Sequence, residues 1–137
     1  MRNSTCPGHR SLCPINLSLE IFGDRWSLLI VRDLIFFGRT SFYDFMHAGE
    51  RIASNILTDR LKTLEANGIV ERRRDESDAR RVRYALTEKG IDLAPVLIDM
   101  VHWAARHETT AAPPEIVEDM RLNRERFLAD IRTRWEG

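Results

Sequence analysis

The sequence has 137 residues, enough for one domain with a hydrophobic core of ordinary size. Basic and acidic residues number 21 each, so the net charge of zero does not by itself indicate a nucleic-acid partner. Residues 1–20 contain no continuous apolar stretch, and Arg32 and Asp33 interrupt the most apolar segment, 28–37. This argues against a secretory signal and a membrane span. With only two cysteines, we expect a cytoplasmic protein with no membrane anchor.

Glycine and proline divide the first part of the chain into predicted helices. After a flexible tail at 1–12, Pro14 suits the first turn of a short helix that should run to about residue 21. Gly23 ends this helix, and the Asp24 side chain is expected to cap a second one. Gly38 should end that second helix, which makes the N-terminal region a pair of helices in close succession.

Two further helices are predicted before the first strand. The spacing of Ser41 and Asp44 matches a capping box and predicts a third helix. The fourth helix begins near Ser54 and ends at the Asn67-Gly68 pair. The residues expected to be buried are Phe42 and Phe45 in the third helix and Ile56, Leu57, Leu61 and Leu64 in the fourth.

A basic β-hairpin is predicted to follow the fourth helix. Its strands are expected over 69–74 and 80–86, and six arginines and three acids lie between residues 72 and 83. Alternation should turn Val82 and Tyr84 toward the core and the neighbouring arginines outward. A helix followed by an arginine-rich hairpin is the order of a winged helix-turn-helix, in which the helix enters the major groove and the hairpin contacts phosphate or the minor groove.

Two long helices are predicted after the hairpin. Thr87 should cap the first, which runs to about residue 107 and is bent by Pro95. Pro113-Pro114 forces a break, and the final helix is expected at about 115–135. The apolar stripes of these helices exceed what the core of one subunit covers, so we expect a homodimer closed by them and by the first helix.

The predicted fold class is therefore mainly α with a small antiparallel β-hairpin: a winged helix-turn-helix with terminal dimerisation helices. We expect residues 13–109 to form the winged-helix DNA-binding and dimerisation domain. Residues 113–137 should add a C-terminal helix that serves dimerisation.

Two groups of side chains are the candidate contacts with double-stranded DNA. One is the polar face of the fourth helix: Ser54, Asn55, Thr58, Asp59 and Lys62. The other is on the hairpin: Arg72, Arg74, Arg80, Arg81 and Arg83. Asparagine pairs with adenine, lysine reaches guanine or phosphate, and arginine suits phosphate. Each group alone is also explained by a solvated helix face or a charged strand edge. Their succession in the chain favours DNA binding.

The cysteines suggest a redox site. Cys13 precedes the first helix, where unpaired amides favour a thiolate, and Cys6 lies seven residues earlier. A redox pair is one interpretation, and two cysteines with only a packing role are the other. Cys6, His9 and Cys13 match no common zinc spacing, so no metal is expected. We also find no phosphate-binding glycine loop and no nucleophile elbow, and we predict neither a cofactor nor enzyme activity.

Several segments, in order, resemble HxlR-type transcriptional regulators of the MarR-like superfamily. They are Cys13-Pro14-Ile15, the stretch 23–34 (GDRWSLLIVRDL), the stretch 52–61 (IASNILTDRL), Leu64-Glu65, Gly68-Ile69-Val70 and the stretch 84–90 (YALTEKG). The resemblance covers about 13–107. It implies a homodimeric bacterial repressor or dual regulator whose two recognition helices read a pseudo-palindromic operator. In some relatives the cysteine matching Cys13 senses oxidants or electrophiles. This chain departs from the pattern by its second Cys-Pro pair, Cys6-Pro7, and by the helix at 115–135.

Two alternatives stay open on the sequence alone. A winged helix can be a protein-interaction module that does not bind DNA, with its arginines merely solvated. An oxidant or a small molecule is the expected class of effector. The second alternative concerns the aromatic residues, which either border a pocket for such an effector or simply form the core. The candidates for that pocket are Trp26, Phe36, Phe37, Phe42, Phe45 and Trp103.

Overall fold

The computed structural model describes residues 8–136, so Cys6 lies outside the described residues. The elements in chain order are α1 (Pro14–Phe22), α2 (Ser27–Phe36), α3 (Phe42–Met46), α4 (Ser54–Ala66), β1 (Val70–Arg74), β2 (Val82–Leu86), α5 (Glu88–Ile91), α6 (Ala94–His107), α7 (Pro114–Leu122) and α8 (Arg124–Glu136). The strands pair antiparallel, with Val70 opposite Leu86 and Arg74 opposite Val82. The predicted fold class, mainly helical with one small hairpin, is confirmed. Among these helices none is long and apolar enough to cross a membrane.

Side-chain caps that the sequence predicted begin α2 and α3. The Asp24 carboxylate accepts hydrogen bonds from the backbone amides of Trp26 at 2.7 Å and Ser27 at 2.9 Å, although α2 starts only at Ser27. At α3 the Ser41 hydroxyl accepts from the Asp44 amide at 3.0 Å, and the Asp44 carboxylate accepts from the Ser41 amide at 3.2 Å. This reciprocal pair is the predicted capping box, and it fixes the first helix of a helix-turn-helix.

The core lies between α2, α4 and the base of the hairpin. Its largest fully buried side chains include Leu34 of α2, Leu57 and Leu64 of α4, and Leu86 of β2. Ile131 of α8 joins the same cluster. The C-terminal helix therefore packs on the core of its own chain, whatever it contributes to an assembly.

Three side chains expected in the core are exposed. Phe42 and Ile56 each retain 37% of their accessible surface, and Val82 retains 40%. Val82 begins β2 opposite Arg74, at the outer end of a hairpin whose burial increases toward Leu86, so no helix covers it there. Phe42 is the first residue of the short α3 and faces the gap between α4 and the hairpin.

Each predicted long C-terminal helix is in fact two helices. The first breaks after Ile91, and Pro95 lies in the first turn of α6, where its missing amide costs no intrahelical bond. Pro95 therefore starts a helix rather than bending one. The second breaks at Asn123, and α8 packs against α5 and α6.

The hairpin and α5 approach closely at Gly90. A Cβ atom at this position would lie 2.2 Å from the carbonyl oxygen of Ile69, so glycine is required. Thr87 caps α5 by accepting from the Gly90 amide at 3.1 Å and donates to the Ile69 carbonyl at 3.1 Å. These bonds fix the base of the hairpin to the chain that follows it.

Candidate nucleic-acid interface

The polar face predicted on α4 lies in solvent. The five residues proposed for it, Ser54, Asn55, Thr58, Asp59 and Lys62, are all exposed. On the opposite side of the helix, Leu57, Leu61 and Leu64 are buried. The helix is thus held by one face and leaves the other available along its whole length, as a helix that enters a DNA groove requires.

The first turn of α4 also offers backbone donors. Ala53 occupies the N-cap position and supplies no side-chain cap, so no side chain satisfies the amides of this turn. Unsatisfied amides at the N-terminus of a 13-residue helix favour an anion, and a DNA phosphate is one. The Thr58 hydroxyl meanwhile donates to the Ser54 carbonyl at 2.9 Å, within the helix.

A groove of about 260 Å³ separates α4 from the hairpin. Thr58 and Lys62 of α4 line it together with Arg72 of β1 and Tyr84 of β2. The Arg72 Nε lies 3.3 Å from the carboxylate of Glu65, which ties the hairpin to α4. The fold therefore brings candidates from both predicted groups to one surface.

The tip of the hairpin is organised around Asp75, which is almost inaccessible to solvent. Its carboxylate accepts from the Ser77 hydroxyl at 2.7 Å, from the Ser77 amide at 2.9 Å and from Arg83 Nε at 3.1 Å. The two bonds from Ser77 and the guanidinium of Arg83 lower the pKa of Asp75 from 3.8 to about 2. Arg83 thus helps to hold the loop, and Arg80 lies 3.3 Å from Asp78 in a second pair.

Other candidates have no partner within residues 8–136. Arg74 and Arg81 are exposed and form no ion pair there. Lys62 and Asn55 likewise make no side-chain hydrogen bond in that range. The Ser54 hydroxyl also has no hydrogen bond among these residues, so five candidates have polar groups free to meet DNA, whereas Asp59 pairs with Arg60.

Sequence reasoning missed several residues beside α4. Arg60 pairs with Asp59 on its own helix and with Asp24, at 3.4 Å, on the segment before α2. On α3 the exposed rings of Tyr43 and His47 stack with their centroids 4.0 Å apart. The i, i+4 spacing of the stacked pair could have revealed it, but nothing in the sequence marks the long-range contact of Arg60.

Cys13 occupies the predicted N-cap position of α1. The residue is half-buried, its side chain makes no capping hydrogen bond, and its thiol is free. The companion thiol of Cys6 lies outside the described residues. Within 8–136 no cluster of three histidine, cysteine, aspartate or glutamate side chains could hold a metal ion.

Two apolar surfaces lie away from α4. Leu12, Ile15 and Leu19 form an exposed stripe along α1 and the residues just before it. A groove of about 300 Å³ lies between α2 and α6, lined mainly by Leu28, Leu29, Phe36, Leu97, Met100, Val101 and Ala104. Trp103, 62% exposed, lies on the same helix as the last four. Of the six aromatic residues considered for an effector pocket, only Phe45 is fully buried and only Phe36 lines this groove.

The chain is similar to known regulators in sequence. Residues 21–112 match the model of a family described as HxlR-like helix-turn-helix. The HTH-type transcriptional regulator YodB of Bacillus subtilis is 36% identical over 104 residues, which cover 76% of this chain and 87% of YodB.

Solved structures agree with this similarity. The structure of PA1607, described as a putative transcription factor, matches with a TM-score of 0.67 and 35% identity over 76% of this chain and 71% of that one. The redox regulator HypR in its reduced form matches with a TM-score of 0.61 and 29% identity over 69% of this chain and 92% of that one. Reduced YodB of B. subtilis matches with a TM-score of 0.58 and 35% identity, over 70% and 94% of the two chains.

Proposed function

The chain belongs to the HxlR-like helix-turn-helix family of DNA-binding transcriptional regulators, and we propose that it acts as a homodimeric repressor reading a pseudo-palindromic operator. In this proposal α4 is the recognition helix and the hairpin is the wing. The chain carries out no catalysis, needs no cofactor and works in the cytoplasm.

The groove shared by Lys62 of α4 and Arg72 of the wing is the observation that carries the proposal. A polar helix face beside an arginine-bearing strand suits a DNA duplex, because bases in the groove and phosphates at its edge lie side by side. Asn55 and Lys62 would read bases, while Arg74 and Arg81 would bind phosphates.

The apolar surfaces on α1 and α6 supply the proposed dimer contact. In this proposal the exposed stripe of Leu12, Ile15 and Leu19 docks in the apolar groove between α2 and α6 of a second copy, and the twofold symmetry would bury both stripes. The exposed Trp103, on the same helix as much of the groove lining, would add to this contact. Two recognition helices held about 34 Å apart could then read successive turns of DNA.

Thiol chemistry at Cys13 is the proposed mode of regulation. HypR is described as a redox regulator, and YodB has been solved with a bound quinone. Cys13 lies at the start of α1, beside the proposed dimer stripe, so its modification would alter the spacing of the recognition helices. Cys6 is the proposed partner thiol, with an oxidant or a small electrophile as the effector.

Genome-wide mapping of bound sites tests this function. The expected result is a small set of sites with two inverted half-sites, centred about one or two DNA turns apart, next to promoters. A protein-interaction module would give no enriched sites, and a monomeric reader would give single half-sites.

A further inference from the structure

The last turn of α8 contacts the end of α2, from which the segment 37–41 leads to α3. A guanidinium nitrogen of Arg134 donates to the carbonyl oxygen of Ile35, at the end of α2, at 2.7 Å. Five residues later, the Thr40 carbonyl accepts from the Tyr84 amide of β2 at 2.7 Å. The segment 35–40 is therefore bonded to α8 at one end and to the hairpin at the other.

The same turn of α8 lies behind the hairpin. Along β2, Ala85 faces away from the side on which Tyr84 meets α4. Ala85 is nevertheless 3% exposed. It lines a cleft of about 500 Å³, and Arg134 and Trp135 line the same cleft. The hairpin thus has α4 on one side and, across this cleft, the end of α8 on the other.

The position of α8 itself is well fixed. Ile131 is buried in the main core, and the next residue, Arg132, pairs with Glu88 and with Asp92 at 3.4 Å. Because these contacts come one turn before Arg134, a displacement of the last turn would strain the whole helix. Residues 113–136 lie beyond the part of the chain that matches the family model, so this support belongs to the chain's own extension.

We infer that Arg134 and Trp135 are positioning residues for DNA binding, which hold the wing at a fixed angle to the recognition helix. Neither lines the groove between α4 and the hairpin, so they act through the hairpin and not by touching DNA. The expected loss of DNA affinity on substituting these residues rests on the proposed function. The expected loss of order in the hairpin does not depend on that function.

Hydrogen exchange of the full chain without DNA tests the inference. In Arg134→Ala and Trp135→Ala, the hairpin amides of 70–86 should exchange roughly tenfold faster, because local opening becomes easier. Arg126→Ala is the matched control, since it removes the same charge from the same helix, and among residues 8–136 Arg126 forms an ion pair only with Asp119 of α7. The hairpin in this control should exchange at the wild-type rate. Trp135→Phe, which keeps a ring behind the hairpin and removes an indole N–H that has no hydrogen-bond partner among residues 8–136, should also stay near wild type.

DNA affinity provides the second measurement. Arg134→Ala should weaken binding several-fold while leaving the slope of affinity against salt unchanged, because no phosphate contact is lost. Exchange that rises only within α8, or rises equally in Arg126→Ala, would overturn the inference. If hairpin exchange rises as expected but the wild type binds no DNA, the proposed function fails and the role of α8 in ordering the hairpin stands.

Discussion

The carboxylate of Asp24 lies 3.4 Å from the guanidinium of Arg60, so the residue that caps α2 is also paired with α4. Partial burial opposes the charge on Asp24, but hydrogen bonds from Ser27 and Trp26 and the charge of Arg60 outweigh it and lower the pKa. The corner between α1 and α2 is thereby linked to the proposed recognition helix.

Removing this carboxylate should lower stability. Asp24→Ala loses the cap of α2 and the pair with Arg60, and should reduce the free energy of unfolding by about 0.5–2 kcal/mol. Asp24→Asn keeps an acceptor oxygen for the two amides and should cost less. Urea denaturation measures both variants. Equal losses would mean that the charge on Asp24, not its cap, carries the effect.

Base contacts and phosphate contacts should respond differently to substitution. Lys62→Ala should cost about 1–3 kcal/mol of binding and relax the preference at one position of each half-site. Arg81→Ala should weaken binding to all sequences alike and reduce the salt slope by about one. Binding to a panel of single-base operator variants at several salt concentrations measures both effects. If neither substitution changes affinity, the assignment of helix and wing is wrong.

Arg83→Ala should weaken DNA binding of all sequences and flatten the salt dependence, as the sequence predicts for a phosphate contact. The structure adds a second effect, because Arg83 also holds Asp75. Asp75→Asn is the control, since it loosens the same loop without removing a cation. A salt slope that stays at the wild-type value in Arg83→Ala would assign this arginine to the loop alone.

The hairpin tip should respond to acid at an unusually low pH. The pKa of Asp75 is about 2 in the folded chain, below its ordinary value of 3.8. A depressed pKa means that Asp75 stabilises the fold fully above 3.8 and that this stabilisation disappears as the pH falls toward 2. Amide spectra of residues 75–83 in the folded wild type should therefore change with a midpoint at a pH of about 2. The same spectra in Asp75→Asn should not, and a shared transition would assign the change to another group.

Local chemistry made the first half of the fold predictable. The helix caps formed by the Asp24 and Ser41 side chains involve only neighbouring residues, so the spacing of residues in the sequence is enough to predict both. The breaks in the C-terminal helices were missed because apolar periodicity continues across them. Pro95 predicts a bend in a continuous helix, although proline in a first turn is equally compatible with a helix start, which is what the structure shows.

The candidate site was predictable only as a pattern. Exposure of the five polar residues on α4 followed from its buried leucines, since a helix that buries one face exposes the other. Ion-pair partners that are distant in the sequence could not be predicted in this way. Neither the pair of Arg60 with Asp24 nor that of Arg72 with Glu65 has a local signal, and both depend on how the helices cross.

The proposed dimer should be sensitive to charge on α1 and α6. Ile15→Asp or Trp103→Asp would bury a carboxylate in the contact and should give a monomer of about 16 kDa in sedimentation at micromolar concentration. Leu122→Asp places the same charge at a similarly exposed position on α7 and tests whether that helix forms the dimer contact instead. If only Leu122→Asp dissociates the dimer, the C-terminal extension forms the interface and α1 does not.

Oxidation should reduce DNA affinity through Cys13. Treatment with diamide is expected to release operator DNA from wild type and to leave Cys13→Ser bound. Cys6→Ser distinguishes a disulfide from modification of a single thiol, because it should resist diamide only if the two thiols pair. Identical titrations for all three proteins would reduce Cys13 to a packing residue.

The salt dependence of duplex binding is the most direct measurement of DNA recognition by this chain. Fluorescence anisotropy can follow wild-type protein on a mapped site and on a scrambled duplex between 50 and 200 mM salt, a range over which a protein with 6–10 phosphate contacts loses roughly 10³–10⁵ in affinity. We expect affinity for both duplexes to fall steeply with salt, with the mapped site bound about a thousandfold more tightly or better. Weak binding that is independent of salt and equal on the two duplexes would contradict a DNA-binding regulator and favour a protein-interaction module.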